Sequence, residues 1–241
     1  MAVKIGSARS SFGDTSAGDQ NGGKEVSCQP WYLHGKGWYV YRAKDDAVRE
    51  KIARAMQLAC DNDDIGYSQG TRSSLWSNVK NSGYDPSKTT KKVNTDCSAL
   101  VRVCCAYAGI VLDDFITSTE GTRLVKSGQF EKLTSDKYCK SSDYLLRGDI
   151  LCTRTKGHTV VVLSNGAKVT APATQTTPAT QTTTASQLKS GRWNLRTGPG
   201  TEYESLCTVS SADAVTVVDT GDWKFVKVGD KIGWIGPSAF E

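Results

Sequence analysis

The sequence is poor in general bases and in metal-ligand patterns: it has two histidines, His34 and His158, and no Cys-x-x-Cys pair. It also has no long apolar run. A membrane-spanning helix needs about 18 or more consecutive apolar residues, whereas the longest aliphatic stretches here are strand-sized, such as Thr159 to Leu163. Membrane insertion is therefore excluded. The start, Met1 to Ser10, turns polar within a few residues, so it lacks the apolar stretch of about 7 to 15 residues that marks a secretory signal. Synthesis in the cytoplasm is the expectation.

Charge of one sign is scarce as well. Thirty Lys and Arg face 25 Asp and Glu, a net charge of +5 over 241 residues, and the basic residues are scattered among acids. Nucleic-acid binding needs a basic stripe, so no nucleic-acid partner is expected. Eight cysteines would allow four disulfides, but this length can bury a core of one or two domains without such staples. Most are expected to be free thiols. Cys104 and Cys105 are adjacent and point to different sides of a helix, so no structural zinc site is expected. Asp61 to Gly66 begins like a calcium loop, yet position five is Ile65 and position twelve is Arg72 where a bidentate Glu belongs. No metal and no cofactor is expected.

What is present divides the chain. Residues 170–187 are nearly all Thr, Ala, Gln, Pro and Ser, a composition that cannot bury enough surface to order itself, and they read as a tether. Upstream, 1–169 starts with a Gly/Ser-rich stretch to Gly23, read as irregular loop. Three helices are predicted: Ala43 to Asp61, with Val48, Ile52, Ala55, Met56 and Ala59 on one stripe; Cys97 to Ala108, with Asp96 as its N-cap; and Thr119 to Lys126. After Leu146 the period falls to two. Gly148 to Arg154 and His158 to Leu163 read as strands, and Asn165-Gly166 as a hairpin turn into a third. The fold class is α+β, helices first and an antiparallel sheet after them. Residues 188–241 show only short β-rich runs, predicting a small all-β barrel with Trp193, Leu195, Leu206, Val215, Val217, Phe225, Val228 and Trp234 as its core.

One pair of residues carries chemistry. A thiol becomes a nucleophile where its thiolate is stabilised, and the first turn of a helix offers unpaired N–H groups for this. Cys97 is the cysteine placed there. Of the two histidines, His34 sits in a glycine-flanked segment, whereas His158 opens a β-branched strand directly after Gly157, a rigid frame for a general base. Alone, a cysteine at a helix start is usually a small buried residue, and a histidine beside a turn usually a polar strand end. Together, in these settings, they point to nucleophilic catalysis.

Asp96-Cys97-Ser98-Ala99-Leu100 resembles the Asp-Cys-Ser-Gly-Leu signature of the NlpC-type, papain-like peptidoglycan hydrolases, with Ala99 replacing the glycine. Gly148-Asp149-Ile150-Leu151 and Gly157-His158-Thr159-Val160-Val161 resemble that family's following strands, and the related CHAP amidases and peptidases share the Cys-then-His order. The likeness spans residues 60 to 168 or so. It implies a papain-like fold, Cys97 as nucleophile, His158 as base, the Cys97 N–H in an oxyanion hole, and Tyr67, Asp96 and Ser98 at the substrate. The family's third residue, which orients the histidine, has no clear counterpart; Asn165 is the nearest candidate, and Gly18-Asp19-Gln20 an alternative.

Downstream, Trp193-Asn194-Leu195-Arg196-Thr197-Gly198-Pro199-Gly200-Thr201-Glu202-Tyr203 resembles the opening of bacterial SH3-like domains, and Gly221 to Val228 and Gly233-Trp234-Ile235 their later strands. That likeness implies a wall-binding unit, with Tyr203, Trp223 and Trp234 as contacts where exposed; for the two tryptophans a place in the barrel core is the stronger expectation. Together these readings imply an endolysin-like enzyme, a cysteine endopeptidase or N-acetylmuramoyl-L-alanine amidase whose partner is bacterial cell-wall peptidoglycan. The alternatives are a papain-like hydrolase or transferase acting on another amide, and a degenerate wall-binding protein.

Overall fold

The computed structural model describes residues 2–10, 25–169, 184–196, 201, 205–219, 223–229 and 231–240. The chain divides into two compact units, Met1–Val169 and Thr170–Glu241, each with its own apolar core.

The first unit is built on a six-stranded antiparallel sheet. Its strands are β1 (Lys4–Ala8), β2 (Val26–Pro30), β3 (Trp38–Ala43), β6 (Phe130–Leu133), β7 (Ile150–Thr153) and β8 (Thr159–Val162), in the order β2-β1-β8-β7-β3-β6. Helices α1 (Asp46–Cys60) and α3 (Cys97–Tyr107) pack on one another. They cover one sheet face through Ile52, Met56, Leu100 and Cys104, against Tyr41, Ile150, Cys152 and Val161. The other face is closed by Val3, Ile5, Trp38, Leu151, Val160 and Val162 with Leu145. Each such fully buried aliphatic side chain contributes about 1.5–3 kcal/mol. Smaller elements complete the unit: a parallel pair of β4 (Ile65–Tyr67) and β5 (Val93–Thr95), and helices α2 (Ser74–Val79), α4 (Thr117–Lys126) and α5 (Asp136–Cys139).

Both long helices begin behind an aspartate cap, Asp96 as expected and Asp45 inside the helix predicted from Ala43. Asp45 accepts hydrogen bonds from the N–H groups of Ala47 and Val48 at the start of α1, and Asp96 accepts one from Ala99 at the start of α3. The expected order, helices before strands, is not what forms. Three strands precede α1, and β1, within the stretch read as irregular loop, lies between β2 and β8 inside the sheet. Five residues are too few for a period to show. It is pairing on both edges and burial of Ile5 to Ala8 that order them.

The Gly148-Asp149-Ile150-Leu151 segment has a packing explanation. Gly148 has φ +88°, and a Cβ there would lie 2.1 Å from the carbonyl oxygen of Arg49, so glycine is what lets α1 approach. Asp149 accepts from Arg42 Nε at 2.8 Å, from Arg42 Nη2 at 2.7 Å and from the Leu146 N–H at 2.8 Å. Nearby, Arg147 Nε donates to Glu50 at 2.8 Å with both side chains largely buried. Asn165-Gly166 does not turn into a third strand. Asn165 Oδ1 accepts from the Arg147 N–H at 2.8 Å, and a Cβ on Gly166 would meet the Ser142 carbonyl at 2.1 Å; tertiary contacts claim both residues.

The second unit is also a six-stranded antiparallel sheet. It comprises β9 (Thr184–Ser186), β10 (Arg192–Arg196), β11 (Ser205–Ser210), β12 (Val215–Asp219), β13 (Lys224–Val228) and β14 (Lys231–Ile235), ordered β11-β10-β14-β13-β12-β9. β9 falls inside the segment read as tether: three of its Thr- and Ser-rich residues pair with Val215 to Val217. Leu195, Val215, Val217, Phe225 and Trp234 are buried as expected, and Trp193 and Val228 pack half-buried at the margin. Leu206 is 45% exposed, so it leaves the expected core. Leu188, Val209, Val226, Ile235 and Phe240 join it instead.

Candidate active site

The β4–β5 pair aims the chain at α3. Tyr67 is paired with Thr95, and Asp96 and Cys97 follow at once. Asp96 is fixed from three sides: its carboxylate accepts from the Ala99 N–H at 2.7 Å, Ser98 Oγ at 2.8 Å and Arg72 Nε at 2.6 Å. Arg72 also donates to Asp114 at 2.8 Å, to Ser98 Oγ at 3.1 Å and to the Phe115 carbonyl. Asp96 and Ser98, expected at the substrate, are thus occupied with holding the helix start.

That start presents Cys97, 8% exposed. Burial pushes its thiol up to about 12, with Asp96 and Glu120 acting in the same direction, while the backbone N–H groups of Thr159 and Ser98 favour the thiolate. Thr159 follows His158 directly, so the sulfur lies against the chain segment that carries the imidazole. Tyr67 is also close enough for Cys97 to raise its phenol, which burial already raises, and its hydroxyl accepts from Gln69 at 3.1 Å.

His158 is held by its backbone. Its N–H donates to Thr153 Oγ1 at 3.1 Å and its carbonyl accepts from the Thr153 N–H at 2.9 Å. Burial lowers the imidazole to about 4, helped by Arg9 and His34. Both members of the pair are therefore neutral at pH 7, and no hydrogen bond joins them among the described residues. The pair thus rests as a neutral thiol and a neutral imidazole, not as a standing ion pair.

Asn165 is not brought to this site. It lies beyond the far end of β8, a strand of four residues spanning roughly 13 Å, and its side chain serves Arg147. In the second unit Trp234 is 1% exposed and belongs to the core, Trp223 is half-buried against Gly236, and Tyr203 and Gly18-Asp19-Gln20 lie outside the described residues.

Sequence reasoning missed Glu120. This α4 residue is fully buried, shares a hydrogen bond of 2.7 Å with Thr159 Oγ1, and has an Oε2 with no hydrogen-bond partner among the described residues. Burial pushes its carboxyl up to about 8. The available signal is its place four residues before Leu124 on the buried stripe of α4, a stripe that ordinarily excludes acids. Against α4 a groove of about 580 Å³ is lined by Tyr39, Tyr41, Cys152, Lys126, Lys132 and Lys156 with other α4 residues. The sheet register sets Tyr39 opposite Cys152 and Cys152 opposite Thr159, a row running from this groove towards the Cys97 sulfur.

A family model for the endolysin-like domain matches residues 9–169. The chain belongs to the endolysin-like domain family. No curated protein and no solved structure matches it significantly. An endolysin-like domain points to a phage cell-wall lytic function with peptidoglycan as substrate. The matched span contains all of α3, β7 and β8, and so the whole neighbourhood of Cys97 in this endolysin-like domain. Among its described residues no helix is long and apolar enough to cross a membrane.

Proposed function

We propose that this chain is a peptidoglycan hydrolase in which Cys97 attacks an amide or peptide carbonyl of the wall and His158 moves the proton. One observation carries the reading: the Cys97 sulfur stands at a helix start, against the N–H groups of Ser98 and of Thr159, the residue after the imidazole. The thiol proton passes to His158 as the S–C bond forms, and from His158 to the departing amine. Water then cleaves the thioester with the same base. The helix geometry leaves the N–H of Cys97 without an intrahelical partner, a donor available to the developing oxyanion. The NlpC- and CHAP-like motifs support a papain-like relationship, and the lysines of the groove suit a substrate that bears carboxylates.

In this proposal residues 188–241 form an SH3-like unit that holds the enzyme on its insoluble substrate, joined by the tether within 170–187, which raises the effective concentration of wall bonds. Trp223, half-buried, is its contact residue, and Tyr203 is proposed with it from the sequence motif. Synthesis in the host cytoplasm and action on the wall complete the reading.

The test is release of free amino groups from purified peptidoglycan under reducing conditions, with mass spectrometry of the products to name the bond. The parent releases amines and Cys97→Ser does not. Equal release by the two proteins contradicts the proposal.

A further inference from the structure

Thr159 Oγ1 is 2.7 Å from Glu120 Oε1 and 3.1 Å from the Leu151 carbonyl oxygen. A hydroxyl has one proton, and a carbonyl can only accept. If Thr159 donates to Leu151, the short contact to Glu120 is filled only when the carboxyl supplies the second proton. If Glu120 is ionised, Thr159 donates to it, the Leu151 contact is empty, and a carboxylate stays buried with one oxygen unpartnered.

The surroundings decide between these arrangements. The titratable groups that interact electrostatically with Glu120 are Asp96, Cys97 and Cys105 at α3, Tyr41 on β3 and Cys152 on β7, and Thr159 of β8 is hydrogen-bonded to it. None is a cation among the described residues. A buried carboxylate without a counter-charge is costly enough that the group takes up a proton instead.

We propose that Glu120 is a positioning residue of the Cys97 site: it stands protonated, donates to Thr159 Oγ1, and thereby fixes the β8 backbone whose N–H faces the Cys97 sulfur. The role rests on the reading of Cys97 as nucleophile, but the proton on Glu120 does not. Keeping the acid neutral also keeps a negative charge away from the thiol, since an ionised Glu120 opposes thiolate formation. The site therefore weakens from within when alkali strips that proton.

Three readouts separate the possibilities. Infrared difference spectra of the whole protein between pH 6 and pH 9 should show loss of a protonated-carboxyl C=O band that Glu120→Gln lacks. Iodoacetamide alkylation of Cys97, followed by peptide mass, should run at equal rates in parent and Glu120→Gln at pH 6. At pH 9 it should run at least about threefold faster in Glu120→Gln, where no charge opposes the thiolate. Wall hydrolysis should fall about tenfold or more in Glu120→Ala and be restored in Glu120→Gln, whose amide N–H still donates to Thr159. The infrared and alkylation results stand even if Cys97→Ser remains active, so failure of the nucleophile assignment is separable. The inference is overturned if parent and Glu120→Gln share one spectrum and one alkylation profile, or if Glu120→Ala hydrolyses wall as fast as the parent.

Discussion

The two ends of β8 treat buried ionisable groups in opposite ways. Beyond its C-terminal end, Arg147 is paired with Glu50, and Arg42 with Asp149 through two hydrogen bonds. At its N-terminal end Cys97, Glu120 and Cys152 are buried and His158 half-buried with no ion pair among the described residues, and desolvation moves each towards its uncharged form. Pairing holds a charge in one geometry and fixes the fold. At the other end each group is left uncharged, and strongly shifted groups gathered in one place mark a candidate functional site. The contrast separates the paired half of the Gly148 to Leu163 region from the half that carries the proposed chemistry.

Substitution at the paired end should cost the most stability. Glu50→Ala strands the Arg147 guanidinium in a buried setting, and should cost about 3–5 kcal/mol in denaturant unfolding; a loss under 1 kcal/mol would show that the pair does not hold the fold. Next is Gly148→Ala, which sets a methyl group against the Arg49 carbonyl at a positive φ. A loss of about 2–4 kcal/mol is expected, with the remaining folded fraction retaining its specific activity.

At the neutral end the sensitivity is to pH. Glu120 titrates near 4.5 in the unfolded chain and about 8 in the folded one, so the folded state holds a proton that the unfolded state releases. Its contribution is complete below pH 4.5 and is lost as pH rises towards 8. His158 acts in the other direction: with its folded value lowered from 6.5 to about 4, stability falls as pH drops through that window. Between pH 4.5 and 6.5 the two slopes oppose one another, so melting curves should be nearly flat there and decline from pH 6.5 to 8. Glu120→Gln should abolish that alkaline decline and expose the fall that His158 causes from pH 6.5 to 4; an alkaline decline that persists in this variant refutes the assignment. The smallest effect is Asn165→Ala, which removes one hydrogen bond to the Arg147 N–H. It should cost about 1 kcal/mol and leave wall hydrolysis unchanged, as expected of a residue remote from His158.

Much of this was legible in the sequence because it is local. The α1 stripe, the Asp96 cap and the Cys97 position follow from spacing and from side chains that bond their own helix. β1 was not legible, since what orders it is pairing with strands distant in the chain. Nor was the use of Asn165, whose Asn-Gly sequence says turn while its partner, Arg147, is eighteen residues away. Glu120 escaped for a related reason: an acid in a helix reads as solvated, and only burial against β8 reveals it. Leu206 and Trp234 show the same limit, an exposed leucine and a buried tryptophan from similar β-rich runs.

In the proposed mechanism the Cys97 sulfur is the atom that attacks the wall. Titrating the protein with iodoacetamide while following both hydrolysis of purified peptidoglycan and the mass of each cysteine-containing peptide tests it most directly. Activity should disappear in proportion to carbamidomethylation of Cys97, with substrate slowing both. Full activity in protein whose Cys97 is completely carbamidomethylated would contradict it.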